Sequence, residues 1–255
     1  MKTYTTKHGI ISIEGDESIE KNLTENGEYM FSDVEACKAY FTGTVVDVGA
    51  HVGLWTIPMA QSAEKVVSIE ARADTAELLR ANVAANNLTN VTIIHTLLGD
   101  PEKVYLQGTA TLSGCNHYIE SESGNTKGIT LDSIVTDPVR FIKIDVEGME
   151  PEILRGAKRI IADDAPFLLI EVNPRILKRL GRSPSDIGEL LPGYSFYRFS
   201  AAYGWIQLWW LMDSFYNVLA VPPGKNPPPH VHFLSFVWLR ITEKVRNVLV
   251  RGSRA

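Results

Sequence analysis

The sequence predicts an α/β fold with a doubly wound, mostly parallel sheet and helices on both faces. Short apolar strand patterns alternate with helical patterns, and the first strong strand, 45–48, ends in a glycine turn that leads into a helix. Valines around Asp47 are typical of a strand covered on both faces, and Gly49 and Gly53 let the backbone pass close to a ligand or to the sheet. The turn alone is weak evidence, since close packing of helix on strand also favours glycine.

The remaining elements follow in an order that implies right-handed parallel crossovers. The predicted strands cover residues 45–48, 66–70, 91–96, 141–145, 167–172, 194–199 and 216–221. The predicted helices cover residues 32–40, 54–63, 74–86 and 151–161. Asp74 with Glu77 three residues later predicts the N-cap of the third helix. The last two strands are expected to form an antiparallel hairpin that closes the sheet, and residues 98–133 an insertion over its carboxyl edge.

Composition predicts one catalytic domain with extensions. Its 255 residues, 45% of them hydrophobic, are ample for one core, and we divide the chain into a lead-in segment (1–43), a domain (44–222) and a tail (223–255). A formal charge of −5 argues against nucleic-acid binding through the overall field. Two cysteines and an N-terminus without an apolar stretch favour a cytoplasmic protein, with peripheral membrane contact left open.

The glycine turn favours a nucleoside cofactor without phosphates. A dinucleotide-binding turn has the pattern G-x-G-x-x-G, whereas this chain has G-x-x-x-G. Asp47 at the strand end would repel phosphate but attract the amino group and sulfonium of S-adenosylmethionine. Glu70, at the end of the next strand, is placed to accept both ribose hydroxyls. An NAD(P)-dependent oxidoreductase is the alternative.

A second motif, Lys143-Ile-Asp-Val-Glu-Gly148 followed by a helix, makes a family resemblance specific. Together with residues 46–53, 68–70, 130–132 and 170–172, it resembles the FkbM-type S-adenosylmethionine-dependent methyltransferases over approximately residues 45–222. The resemblance implies a Rossmann-like, seven-stranded methyltransferase sheet. It also implies methyl transfer, usually to a hydroxyl, on a sugar, glycolipid or natural-product acceptor.

The resemblance also implies a set of cofactor-binding residues. The turn would hold the methionine end, Glu70 and Ala71 the ribose, and residues 98–100 the adenine. The full set is Asp47, Gly49, Ala50, His51, Gly53, Glu70, Ala71, Leu98, Gly99 and Asp100. His51 departs from the family, in which asparagine is common at this place.

Asp145 and Glu147 are the candidate catalytic bases, because an attacking alcohol must lose its proton and paired carboxylates can raise one pKa toward neutrality. Lys143 is predicted to face solvent or to pair with an acid. Glu150 and Glu152 are predicted only to complement a helix dipole.

Two further ligand predictions concern the carboxyl edge of the sheet. Asp145, Glu171 and Asn173 follow or end neighbouring strands and could bind Mg²⁺ through oxygen. Ser113 and His117, in the polar insertion, are candidate substrate-binding residues.

The tail predicts a basic amphipathic helix over 233–250 after a proline-rich linker. Its apolar face would pack on its own domain, pair with a second copy in a homodimer, or lie on an anionic membrane. A non-catalytic membrane-associated binding module is therefore a further alternative to an enzyme that acts on a small-molecule or glycan acceptor.

Overall fold

A mixed sheet dominates the part of the chain that the computed structural model describes, residues 1–107, 118–208, 216–226, 228 and 231–232. The described strands are β1 (Lys2–Thr6), β2 (Gly9–Ile13), β3 (Thr44–Val48), β4 (Lys65–Glu70), β5 (Val91–His95), β6 (Val104–Gln107), β7 (Tyr118–Glu120), β8 (Thr126–Lys127), β9 (Val139–Ile144), β10 (Phe167–Val172), β11 (Ser195–Ser200), β12 (Gly204–Leu208), β13 (Tyr216–Val221) and β14 (Val231–His232). The described α-helices are α1 (Glu17–Asn26), α2 (Phe31–Cys37), α3 (Thr56–Ala60), α4 (Ala73–Ala85), α5 (Leu131–Ile134), α6 (Glu150–Arg155), α7 (Pro174–Arg179) and α8 (Pro184–Glu189).

The main sheet has the order β14-β12-β11-β13-β10-β9-β3-β4-β5. Strands β10, β9, β3, β4 and β5 run parallel, and β13 and β11 add antiparallel pairs beside β10. The predicted doubly wound, Rossmann-like class is confirmed. The expected count of seven strands is exceeded, because β12 and β14 extend the sheet beyond β11 to nine.

The predicted pairing of the last two strands holds, but their connection differs. Strand β11 pairs antiparallel with both β12 and β13, so the consecutive hairpin is β11–β12. The sequence prediction missed β12. Trp205 is core: it is buried and packs edge-on against Phe199, with ring centroids 5.3 Å apart.

Alternate residues of the central strands supply two hydrophobic layers, as expected for a strand covered on both faces. On β9, Ile142 packs in a cluster with Leu154 of α6, whereas the neighbouring Phe141 packs with Met59 of α3. Phe141 also contacts Phe41 edge-on at 5.2 Å between ring centroids. These two layers cover both faces of the central strands.

Helix boundaries differ from the predicted ones where side chains bond locally. Helix α4 begins at Ala73, and the predicted cap Asp74 lies in its first turn, where its carboxylate accepts hydrogen bonds from the Arg72 side chain. The prediction of an Asp74 cap is therefore wrong, whereas Asn86 ends the helix as expected. Helix α3 is shorter than predicted.

The second half of the domain departs from prediction in two helices. The predicted helix over 151–161 stops at Arg155, and the chain continues as a π-helical turn, Ile160–Asp164. The short helix α5 after Thr130 was not among the predicted helices. The described part of the insertion contributes a small antiparallel sheet of order β7-β6-β8.

The N-terminal segment (residues 1–43) contains more structure than its sequence pattern predicted. Besides the expected α2, it forms the hairpin β1–β2 and helix α1, whose N-cap Asp16 accepts hydrogen bonds from the backbone N–H groups of Ser18 and Ile19. Asn82 of α4 fastens β2 to the domain. Its side chain donates to Ser12 O and to Val52 O, and accepts from Ser12 N, each at 2.8 Å.

Three sequence predictions fall outside the described residues: the substrate-binding candidates Ser113 and His117, and the amphipathic helix of the tail. Among the helices that are described, none combines the length and apolar character needed to cross a bilayer.

Replacement of Asn82 tests the attachment of the N-terminal segment. Asn82→Ala leaves three backbone groups, one buried and two partly buried, without their partners, so we expect the free energy of unfolding to fall by about 2 kcal/mol. Denaturant unfolding measures this, with Asn22→Ala as the matched control. Asn22 is an exposed helical asparagine that donates within its own helix, and its replacement should cost about 0.5 kcal/mol or less. Equal losses for the two variants would contradict the attachment.

Candidate functional site

A cavity of about 380 Å³ lies at the carboxyl ends of the parallel strands. Gly49 follows β3, Glu70 ends β4, Asp145 follows β9 and Glu171 lies near the end of β10, and all four line it. Open doubly wound sheets bind ligands at this edge, where the strand order reverses. The reversal here is at β3, so the cavity lies where the fold class places a ligand site.

The glycine turn after β3 brings two loops into contact. Gly49 has φ +74°, and a Cβ atom there would lie 1.9 Å from Asp145 O. The N–H groups of Gly49 and Ala50 both donate to Ile69 O at 3.0 Å. Only glycine permits this approach, so the turn serves to bring the end of β9 against the end of β3.

Glu70 is held by the backbone of two loops. Its Oε2 accepts a hydrogen bond from His51 N at 2.9 Å and its Oε1 one from Arg72 N at 3.0 Å. Each carboxylate oxygen keeps a second lone pair for a ligand. Burial lowers the pKa of His51, so its imidazole is neutral beside this carboxylate.

The structure divides the predicted cofactor residues into two groups. Gly49, Ala50, His51, Glu70, Ala71 and Leu98 line the cavity. The described lining does not include Asp47, Gly53, Gly99 or Asp100. Gly53 instead packs closely on Leu79, and Asp100 N donates to the hydroxyl of Tyr105.

Asp47 is fully buried, and Lys143 connects it to the site. Thr56 Oγ1 donates to Asp47 Oδ2 at 2.7 Å, and Lys143 Nζ lies 3.7 Å from Asp47 Oδ1. The same Nζ lies 3.2 Å from Asp145 Oδ2 and donates to Gly49 O at 3.1 Å. Burial lowers the pKa of Lys143, but Asp145 and Asp47 outweigh it and the net pKa is raised. Of the two predicted environments for Lys143, pairing with acids is therefore the one present.

Three acids form a cluster at the ends of β9 and β10. Asp145, Glu147 and Glu171 each offer one oxygen, and these three atoms lie within 4.8 Å of one another. Burial, followed by Asp145 and Glu147, raises the pKa of Glu171 far above its usual range. Glu171 is therefore protonated at neutral pH and hydrogen-bonds Asp145. One proton and the Lys143 charge together offset the repulsion in the cluster.

Asn173 does not join these acids in the way the sequence predicted for a metal site. It lines the cavity, but its side chain caps helix α7 by accepting a hydrogen bond from Ile176 N at 3.4 Å. Glu147 takes its place in the cluster. A metal at this position would have Asp145, Glu147 and Glu171 as its protein ligands.

The loop that carries Glu147 is held from behind by Glu150, a role that the sequence prediction missed. Glu150 Oε1 accepts hydrogen bonds from Gly148 N at 3.0 Å and from Val146 N at 3.4 Å. It does stand in the first turn of α6, as predicted, but it is buried, and burial raises its pKa to about 7. Arg182 holds the same loop by donating to Gly148 O and pairing with Glu152. Arg182 lies in no motif, so only the fold identifies it.

The N-terminal segment adds residues to the cavity that the sequence analysis did not select. Asp16, Tyr29 and Met30 line it. These residues have no motif-like spacing and are far from the strand ends in sequence. The tight turn between α1 and α2, at Gly27, is the one local feature that could have drawn attention to them.

The fold and the acids at its carboxyl edge define a Rossmann-like α/β protein with an acidic cavity at the ends of its parallel strands. The family model for the methyltransferase FkbM domain matches residues 47–198, more than half of the chain. The chain belongs to this family.

A curated relative matches a short stretch of the chain. Over 51 residues the chain is 37% identical to the "Probable ribosomal RNA small subunit methyltransferase A" of Methanosphaera stadtmanae, a match that covers 20% of this chain and 19% of that relative. The match thus spans about a fifth of the length of the curated relative.

Two solved structures show distant likeness. The methyltransferase FkbM from Methylobacillus flagellatus KT is 19% identical, with 71% of this chain and 44% of that chain covered and a TM-score of 0.47. The O-methyltransferase from Bacillus cereus, solved in complex with SAH, is 15% identical, with 82% and 92% covered and a TM-score of 0.47.

Gly49→Ala tests the contact between the two loops. Gly15 has a similar φ of +78°, but a Cβ atom added there would meet nothing within 4 Å, so Gly15→Ala is the matched control. A left-handed alanine alone costs about 1 kcal/mol, which is the loss we expect for the control. Gly49→Ala should lose about 3 kcal/mol or more, because the backbone must move. Thermal or denaturant unfolding compares the two, and similar losses would mean that the loops do not meet as described.

Glu150→Gln tests the buried carboxyl through its pH dependence. The folded-state pKa of about 7 lies above the ordinary 4.5, so the stability from the protonated form is present at low pH and lost as pH rises through 7. The amide keeps an acceptor for the loop but does not ionise. Relative to wild type, Glu150→Gln should therefore gain about 2 kcal/mol between pH 5 and pH 8. Denaturant unfolding at both pH values measures this difference, with the exposed Glu77→Gln as control. A difference that does not change with pH would contradict burial of an ionisable Glu150.

Proposed function

We propose that this chain is an S-adenosylmethionine-dependent methyltransferase that methylates a hydroxyl oxygen of a small, uncharged acceptor. The observation that carries the proposal is the presence of two kinds of acidic site in one cavity. Glu70 lies at one end, on β4, and the cluster of Asp145, Glu147 and Glu171 lies at the carboxyl ends of β9 and β10. Membership of the FkbM methyltransferase family supports the same reaction class.

The spacing of these acids suits a nucleoside and an acceptor side by side. Strands β4 and β10 are three positions apart in the sheet, with β3 and β9 between them. At the usual distance between neighbouring strands this separates Glu70 from Glu171 by about 14 Å. A nucleoside whose ribose was held by Glu70 would therefore leave room in the cavity for an acceptor beside the acid cluster.

The charges of the cavity favour this cofactor over a dinucleotide. In the described lining the basic side chains are Lys143 and Arg72. Lys143 pairs with acids, and Arg72 Nε donates to Asp74 at 3.0 Å. A pyrophosphate would thus meet no uncommitted cation among the described lining residues. A cationic sulfonium would meet several acids, which supports S-adenosylmethionine.

When bound, S-adenosylmethionine supplies an electrophilic methyl group on a positively charged sulfur. The chain's own task is to align an acceptor hydroxyl and to remove its proton. Asp145 is the proposed base, since it lines the cavity and its Oδ2 lies 3.2 Å from Lys143 Nζ. Protonated Glu171 is a hydrogen-bond donor beside it, and Glu147 is the second candidate base.

The same charges support an uncharged acceptor such as a sugar, a glycolipid headgroup or a natural product. Five acids line the described cavity, namely Asp16, Glu70, Asp145, Glu147 and Glu171. The insertion residues 108–117, which include Ser113 and His117, contain no lysine or arginine by sequence. A phosphate or carboxylate on the acceptor would be repelled.

Binding of Mg²⁺ by Asp145, Glu147 and Glu171 is an alternative way to neutralise the negative charge of the cluster. Carboxylate oxygens are the ligands that this ion prefers, and one oxygen of each lies within 4.8 Å of the others. Glu171 would have to lose its proton to bind the ion, so removal of metal by a chelator distinguishes a protonated cluster from a metal site. If EDTA abolishes methyl transfer and Mg²⁺ restores it, the cluster is a metal site.

Calorimetry with S-adenosylhomocysteine and NAD⁺ tests the proposed cofactor. We expect wild type to bind S-adenosylhomocysteine and not NAD⁺. Glu70→Gln should bind S-adenosylhomocysteine at least tenfold more weakly, because only the oxygen of the amide can accept a hydrogen bond, whereas both oxygens of the carboxylate can.

Asp145→Asn tests the proposed base. It should bind S-adenosylhomocysteine like wild type but lose at least a hundredfold in transfer of radiolabelled methyl to fractionated cell extract, a size typical of removing a general base. Glu77→Gln is the control for both. Binding of NAD⁺ alone would refute the proposal.

A further inference from the structure

The N-terminal segment forms one wall of the cavity, facing the sheet edge. Its contributions come from the start of α1 and from the turn before α2: Asp16, Ser18, Ile19, Tyr29 and Met30. Because the proposed cofactor and acid cluster both belong to the sheet edge, this wall is what a bound acceptor would meet on the opposite side.

Hydrogen bonds attach this wall on two sides of the cavity. On one side Asn82 and Asn86 of α4 bond the backbone of β2, with Asn86 accepting from Ile10 N at 2.8 Å and donating to Ile10 O at 2.7 Å. On the other, Asn217 of β13 donates to Asp33 of α2 at 2.9 Å. Asn217 is the register partner of Glu171. The wall is therefore positioned relative to both α4 and the acid cluster.

Tyr29 has an apolar and a polar environment. It packs against the cluster formed by residues such as Ile13, Leu23 and Val52, and it lines the cavity. Burial first, and then Asp145, Asp16 and Glu171, raise the pKa of Tyr29 to about 12. Its phenol thus keeps its proton and is available as a donor near the acids. Tyr29 and Asp145 line the same cavity, and the charge of Asp145 contributes to the raised pKa of Tyr29.

Residues with strained backbone conformations also line this cavity. Five non-glycine residues among those described have positive φ, and three of them, Met30, His51 and Glu147, line this cavity. Such conformations cost about 1–3 kcal/mol each and are concentrated at functional sites. Met30 directly follows Tyr29, with φ 52°. The chain therefore adopts an unfavourable conformation where Tyr29 enters the cavity.

We propose that Tyr29 is an acceptor-binding residue, which donates its phenolic hydrogen to the acceptor and holds the reacting hydroxyl against Asp145. This inference rests on the proposed methyltransferase function. It assigns the N-terminal segment a direct part in the site, with Asn82, Asn86 and Asp33 as positioning residues that act through Tyr29.

The test compares Tyr29→Phe and Tyr29→Leu with Tyr4→Phe and Tyr4→Leu. Tyr4 packs on the same apolar cluster but is not among the described lining residues. We expect the Tyr29 variants to bind S-adenosylhomocysteine within twofold of wild type. Methyl transfer is then measured over a dilution series of the extract fraction that accepts radiolabelled methyl. Tyr29→Phe should raise the apparent KM for this acceptor fraction at least fivefold, and Tyr29→Leu should reduce kcat/KM at least thirtyfold. Both Tyr4 variants should retain wild-type kinetics.

Each contrary result has a distinct meaning. If Tyr29→Phe transfers methyl with wild-type KM and kcat, the inference is overturned. If the Tyr29 variants lose S-adenosylhomocysteine affinity as much as activity, Tyr29 belongs to the cofactor side and the inference is also overturned. Should Tyr29→Leu fail to fold, Tyr29→Phe, which keeps the ring, still decides. Absence of S-adenosylhomocysteine binding by wild type would instead refute the proposed function.

Discussion

The buried ammonium group of Lys143 is the interaction on which the site depends. It lies between Asp47 of β3 and Asp145 after β9, and donates to the carbonyl of Gly49. Removing one partner from such a buried group leaves an uncompensated charge, at a cost of about 3–5 kcal/mol. Lys143 therefore joins the two loops that form the cavity floor. The side chain of Asp47, which the sequence indicated as a cofactor contact, acts in this structure through that lysine.

The position of Lys143 also explains how acids can gather at the ends of β9 and β10. Asp145 receives the lysine on one side and the protonated Glu171 on the other. Glu150 and Arg182 hold the loop of Glu147 from behind, so its left-handed backbone is retained. A group of carboxylates that would repel one another in water is thus kept in place by one cation, one proton and two backbone clamps.

The N-terminal segment, which forms one wall of the cavity, is attached to the rest of the structure by side-chain hydrogen bonds and not by pairing with the main sheet. It contributes no strand to the main sheet and is attached by asparagine side chains that satisfy backbone groups of β2. Amide side chains offer a donor and an acceptor together, so Asn82 and Asn86 can each pair with one residue's N–H and C=O as a neighbouring strand would. This attachment gives the cavity a wall whose residues, unlike those of the strand ends, have no characteristic motif.

Local patterns in the sequence determined the parallel strands, the glycine turn, Glu70 and the acidic motif after β9, because burial on both faces and strand-to-helix turns require particular residues at short spacing. The extra strand β12 and the contacts of Lys143 with Asp47 and Gly49 depended on residues distant in sequence, whereas the start of α4 follows a local contact between Arg72 and Asp74. Glu150 shows the same division: its position at a helix start follows from local rules, but its burial in the folded chain decided that it holds the loop of Glu147. Tyr29 and Arg182 were found only in three dimensions, because a side chain's role in a cavity depends on which chain segments pack around it.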